Sequence, residues 1–314
     1  MRPSFYMLQK ELIEHKTVTR VPLFILLCGV LLFLSLMMNA NLQDNLFISV
    51  QTQGDFTPFS TEFSNDVQLM LSFMAGILSL ALSTTYLSKT LRKERNEGSS
   101  AFWRSMPVTS QHTHAVKLTF GLIVIPLIFS ILVLIANLCL WFISLSSDSV
   151  LVLLHEHSSL LYVITSWFQF LTRMLLVSIV MLPIAGLILA VSQVSNSPLI
   201  VLFLGGYALK LLSNWVLGWD GISQFLSHIY QIPTTVLLSH NPLTSFEHAG
   251  IGFLSLYALL GTLALFVSIS LYRTTEISWQ SLNPSWLFKK IKTKKGDHMI
   301  SFYLLFYDFY TNSG

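Results

Sequence analysis

Six apolar runs, each near the length that crosses a bilayer, divide this 314-residue chain. A hydrocarbon core of about 30 Å takes roughly 20 apolar residues in helical form. The runs fall at about 22–38, 67–87, 118–143, 172–194, 199–217 and 251–272. They predict an all-α, polytopic membrane protein with six transmembrane helices. Composition agrees: 53% of residues are hydrophobic and 11% charged, where a soluble domain carries about 25% charge. Cys28 and Cys139 both lie inside apolar runs and read as small buried hydrophobes, neither a disulfide pair nor a metal site.

The polar intervals alternate in charge. Sixteen of the eighteen Lys and Arg residues fall in three places: residues 1–21, the interval 89–117, and the tail from Arg273. Three other intervals, Asn39–Asp66, Ser144–Ser159 and 218–249, carry acids but no Lys or Arg. The positive-inside rule therefore puts both termini and the 89–117 loop in the cytoplasm, and only six spans fit all three outer intervals. The outer intervals are too short for a large extracellular binding domain.

Residues 1–21 place Phe5, Leu8, Leu12 and Ile13 at helical spacing among Lys10, Glu11, Glu14 and Lys16, which predicts an amphipathic helix in the interface plane. The acids argue against a cleaved signal peptide. Pro22 is expected at the first turn of the first span. The apolar stretch 160–194 exceeds one simple span. Its early part, with Trp167 and Gln169, fits an interfacial helix or the outer end of one long helix, and Pro183 and Gly186 are candidate kink positions. Apolar stretches within 218–249 are too short to cross and predict re-entrant or interfacial half-helices. In the basic tail 273–314, the aromatic segment Met299–Tyr310 is too short to span and is expected at the interface or disordered.

Few residues suggest chemistry. Arg173 and Lys210 are the two cations outside the cytoplasmic set. They are candidate contacts for an anionic substrate or an ion pair, or their long stems snorkel to lipid headgroups. His155-Glu156-His157 and His112-Thr113-His114 invite a metal reading, but side chains two apart on a helix diverge, and the H-E-x-x-H spacing is missing. No G-x-S-x-G and no G-x-x-x-x-G-K-[ST] occurs. No catalytic residue, metal site or cofactor site is expected, and the chain is not expected to hydrolyse ATP. Its basic patches adjoin apolar spans and read as lipid contacts, not nucleic-acid sites.

The loop carries the most specific pattern: Glu94-Arg95-Asn96-Glu97-Gly98-Ser99, then Ala101-Phe102-Trp103, then Ser105-Met106-Pro107-Val108-Thr109, with Lys117 opening the third span. It resembles the E-R-E-x-G-T-x-x-x-L-L-x-x-P-[VI]-[ST] run that follows the second span in type-2 ATP-binding-cassette (ABC) transporter permeases. The N-terminal amphipathic segment, with Lys10-Glu11-Leu12, is similar to that family's elbow helix. Six spans with a broken segment before the last also agree, so the resemblance covers about residues 5–275. Asn96 stands where an acid is common, Phe102-Trp103 replace a Leu pair, and Gln111 replaces a frequent Arg.

The resemblance implies the membrane subunit of a bacterial exporter in the cytoplasmic (inner) membrane. It would pair with a second permease copy or a similar permease. Two cytoplasmic ABC ATPase subunits would hold the ATP and Mg. Glu94, Glu97, Gly98, Phe102, Trp103, Met106 and Pro107 would form the ATPase-coupling loop: the large apolar side chains fit a groove, surrounding charges set register, Gly98 allows the turn and Pro107 ends the helix. An apolar, aromatic-rich path suits a lipid, peptide or drug. The competing functions are a non-transporting immunity or assembly factor with a permease fold, and a membrane-embedded hydrolase using His155 or His157.

Overall fold

The computed structural model describes residues 3–38, 56–96, 109–146, 159–218, 220–239 and 241–273, and every regular element among them is helical. In chain order these are α1 (Pro3–Glu14), α2 (Lys16–Met38), α3 (Phe56–Asn96), α4 (Ser110–Thr119), α5 (Ile125–Ser146), α6 (Leu160–Ser192), α7 (Pro198–Leu212), α8 (Gly221–Leu238), α9 (Thr244–Ala249) and α10 (Ile251–Arg273). A π-helical turn, Phe120–Val124, joins α4 to α5, and another, Ser213–Leu217, extends α7. Among the described residues, six helical stretches are long and apolar enough to cross a membrane: Lys16–Ser35, Gln68–Glu94, Ser110–Ile143, Leu160–Ser192, Pro198–Val216 and Ile251–Tyr272. The chain is a multi-pass membrane protein.

α2 starts at Lys16, directly after a break at His15. Pro22 therefore lies inside it and not at its first turn. The stretch from 160 is one continuous helix of 33 residues, about 50 Å long at 1.5 Å per residue. The segment after the fifth span forms two further helices, α8 and α9. The basic tail lies outside the described residues.

α6 is the hub, packing against α3, α5, α7, α8 and α10. Its buried side chains run along most of its length, from Val163 and Phe170 through Met174 and Val177 to Leu189. Its closest neighbour is α10, and two glycines explain the approach. A methyl group at Gly261 would stand 2.5 Å from Pro183 Cβ, and one at Gly186 would stand 2.9 Å from Leu265 Cγ. Tyr257 on α10 adds a hydrogen bond, its Oη donating to the Val180 carbonyl (2.8 Å).

The first π-helical turn has a covalent cause. Pro126 has no N–H, so the carbonyl four residues earlier, Leu122, loses its helical partner. Ser178 on α6 supplies the replacement, its hydroxyl lying 2.5 Å from that oxygen. A buried carbonyl in apolar surroundings must find a donor, and here the neighbouring helix provides it. Gly121 in the same turn sits against Leu87 of α3, where a methyl group would stand 3.1 Å from Leu87 Cγ.

Candidate functional site

The N-terminal helix α1 turns its charges inward. Phe5 (68% exposed) and Ile13 (60%) point away from the protein, whereas Glu11 is 3% exposed. Such an orientation is backwards for water and right for a helix bordered by lipid. Leu8 packs on the core on the same side, three residues before Glu11.

Glu11 meets Lys117 of α4, which is 1% exposed. The Lys117 ammonium donates to Glu11 Oε1 (2.7 Å), Thr90 Oγ1 (2.8 Å) and Glu94 Oε1 (3.0 Å). A lysine has three N–H donors, and all three are engaged. The second Glu11 oxygen accepts from Tyr86 Oη (2.8 Å) and Thr90 Oγ1 (3.2 Å). Lys10 donates to Glu94 Oε1 from the other side at 2.9 Å and lies 3.5 Å from Glu14. Two ammonium groups thus face the buried carboxylates Glu11 and Glu94, as burial of charge requires.

Burial alone would raise the Glu11 carboxyl. The Lys117 charge and hydrogen bond, then the Tyr86 hydroxyl, outweigh it, and Glu11 titrates below its ordinary value. His15 lies 3.5 Å from Glu11 and edge-on to Tyr86. Burial is the main cause that holds its imidazole below the usual value, reinforced by Lys93 and Lys117 and opposed by Glu11 and Glu94. His15 is therefore neutral at pH 7.

α4 is held on its other side as well. His114, one turn before Lys117, places Nδ1 2.8 Å from the Ser110 carbonyl. That contact puts the proton on Nδ1 and leaves Nε2 to accept from Ser268 Oγ on α10 (3.0 Å). Gln193, at the end of α6, donates to the same hydroxyl at 2.8 Å and to the Ser268 carbonyl at 2.9 Å. The first turn of α4 is capped by Thr109, whose hydroxyl accepts from the His112 N–H. His112 Nε2 also lies 3.3 Å from Ser4 Oγ on α1.

Both flanks of the segment 97–108 are thus fastened. On the incoming side, Glu94 enters the ion cluster and Arg92 donates to the Ser195 carbonyl (2.9 Å) and to the Asn196 side chain. On the outgoing side, α4 is tied through Lys117 to α1 and α3 and through His114 to α6 and α10. The arrangement holds helices together, with every Lys117 donor occupied.

Of the residues singled out from sequence, Glu94 belongs to this cluster. Glu97, Gly98, Phe102, Trp103, Met106 and Pro107 lie outside the described residues, as do His155 and His157. Arg173 is half-buried on α6, and its guanidinium donates to the last carbonyls of α8, Leu237 O at 2.8 Å and Val236 O at 3.5 Å. It therefore meets the negative end of that helix dipole. Lys210 is exposed near the end of α7. Among the described residues, no three His, Cys, Asp or Glu side chains gather where they could hold a metal ion. Sequence reasoning missed Glu11, Tyr86 and Thr90. The available signal was an acid placed three residues after Leu8, on the stripe that packs inward. No protein-family model, curated protein or solved structure matches this chain.

Proposed function

We propose that this chain is the membrane permease subunit of a bacterial ATP-driven exporter of the type-2 ABC class. It works with two cytoplasmic ATPase subunits and a second permease, identical or similar, in the inner membrane. The observation that carries this reading is Lys117, buried between Glu11 of the N-terminal helix and Glu94 at the start of the basic loop. A solvated loop that served only as a topology signal would need no such anchorage. A loop that receives force needs both ends fastened to the elements that must move.

In this account the ATPases hold ATP and Mg, and their closure pushes on Phe102, Trp103 and Met106. The push passes through α4 and the end of α3 into the ion cluster, and through His114 and Gln193 to α6 and α10. α1 is the elbow helix at the cytoplasmic surface, with both termini on that side. α8 and α9 form a re-entrant pair held by Arg173. The ion cluster lies at the loop-side ends of the second and third spans: Glu94 is three residues past Leu91, and Lys117 directly follows Val116. α3, with 41 residues, and the stretch Ser110–Ile143, with 34, are longer than about 30 Å of hydrocarbon requires, so their charged ends stay in the headgroup zone. The substrate class is an amphipathic molecule such as a lipid, peptide or drug, with Arg173 and Lys210 as candidate contacts for its anionic group or for lipid.

ATP hydrolysis tests the division of labour. The purified chain is expected to hydrolyse no ATP alone, and hydrolysis is expected to appear when a Walker-motif ATPase partner is added. Hydrolase activity of the chain without ATP, lost on His155→Ala or His157→Ala, would replace this reading with the enzyme reading.

A further inference from the structure

Beside the ion cluster, with His15 shared between them, lies a second feature. A cavity of about 620 Å³ opens between the end of α3, the α1–α2 junction and the turn from α6 to α7. Its polar wall is cationic: Lys89, Arg92 and Lys93 sit on one face of α3, three and four residues apart, with His15 and Asn196 beside them. Among the described residues, no Asp or Glu lines it. Arg92 is fixed by the neutral acceptors Ser195 O and Asn196 Oδ1, so its position is set and its charge is retained. Lys89 is exposed on the rim. The opposite wall is apolar, formed by Pro198, Leu199 and Ile200 at the start of α7. From there an uncovered apolar surface continues along α7 through Ile200, Phe203, Leu204 and Tyr207.

We propose that this cavity binds a phosphate-bearing anion, namely the headgroup of an anionic phospholipid whose acyl chains lie along α7. A fixed guanidinium and an exposed ammonium suit phosphate oxygens, the first directionally and the second as a point charge. A free phosphate would use the cationic wall but leave the apolar wall and the α7 surface unused. A lipid uses both, and basic residues just outside an apolar span attract anionic headgroups. The inference requires the chain to span a membrane, but it does not depend on transport or on an ATPase partner.

The test uses the full chain purified in neutral detergent. Retained lipid is read by native mass spectrometry and thermal protection by tryptophan fluorescence. The probes are dioleoyl phosphatidylglycerol, dioleoyl phosphatidylcholine and inorganic phosphate. Phosphatidylglycerol is expected to be retained and to raise the unfolding temperature, while phosphatidylcholine and inorganic phosphate do neither. Lys89→Glu is expected to weaken phosphatidylglycerol binding roughly tenfold or more, the size of losing a charge-assisted contact and gaining a repulsion. Arg20→Glu, an exposed charge that does not line the cavity, is expected to leave binding near the native level. Equal protection by inorganic phosphate would overturn the lipid assignment in favour of a free anion. Equal retention by native and Lys89→Glu chains, or equal losses in the Lys89 and Arg20 variants, would overturn the site.

Discussion

A lysine ammonium enclosed in a helical bundle is tolerable only while its acceptors stay beside it. Replacing Lys117 by Met leaves Glu11 and Glu94 buried with less opposing charge, and removal of one partner from a buried pair costs about 3–5 kcal/mol. The expected result is a clear drop in unfolding temperature in detergent. Part of the loss should return in the Glu11→Gln, Lys117→Met double variant, because the stranded carboxylate is then gone. Additive losses would show that the two side chains do not act as a pair. Acid should act through the same residues. The folded-state value of Glu11 is lowered, so its contribution is complete above the unfolded carboxylate value of about 4.5 and is lost as pH falls through the lower folded value. His15 is lowered too, so its loss has the same sign and begins below about pH 6.5. Stability should therefore decline as pH falls from 7 towards 4. Glu11→Gln should flatten the part below about pH 4.5, when unfolding is followed across that range. Neither Glu11 nor Lys117 announces this pairing in sequence. Glu11 reads as the polar side of an amphipathic helix and Lys117 as the last charge of a loop, and nothing local reports that 106 residues later they share a hydrogen bond.

At the scale of the helices, close packing depends on what is absent. Gly261 lets α10 lie against Pro183 of α6, and a methyl group there would come within 2.6 Å of the Pro183 Cα as well as its Cβ. Backbone atoms of a central helix cannot step aside, so Gly261→Ala should separate the two helices and cost about 1–3 kcal/mol. Gly29→Ala has nothing within 4 Å and should be neutral or slightly stabilising by helix propensity. The pair of unfolding temperatures checks this directly. Helix existence was readable because apolar length is a strong signal. Residues 160–194 left two readings open, an interfacial helix or the outer end of one long helix; α6 is the long helix, with Pro183 inside it. Helix-to-helix contacts were not readable. A span is apolar on every side, so hydropathy marks no inner face. Leu122, Pro126 and Ser178 illustrate the point: the orphaned carbonyl can be deduced from Pro126, but the hydroxyl that answers it cannot.

For the whole molecule, the six spans and the alternation of basic and non-basic intervals were legible because a bilayer imposes length and charge rules on any chain. The distribution of contacts among the spans was not. In the α6 span window 56% of residues are buried, against 6% in the α7 window, although both are strongly apolar in sequence. α7 and the first span, 11% buried, leave wide apolar faces that suit lipid. In the proposed function, force enters through the segment between Glu94 and Thr109. The most direct test is recovery of the tagged chain from membranes, native against the triple variant Phe102→Ala, Trp103→Ala, Met106→Ala at equal expression. A Walker-motif ATPase should accompany the native chain and be lost from the triple variant. Absence of any such ATPase from both, or equal recovery with both, would contradict a coupling role for that loop.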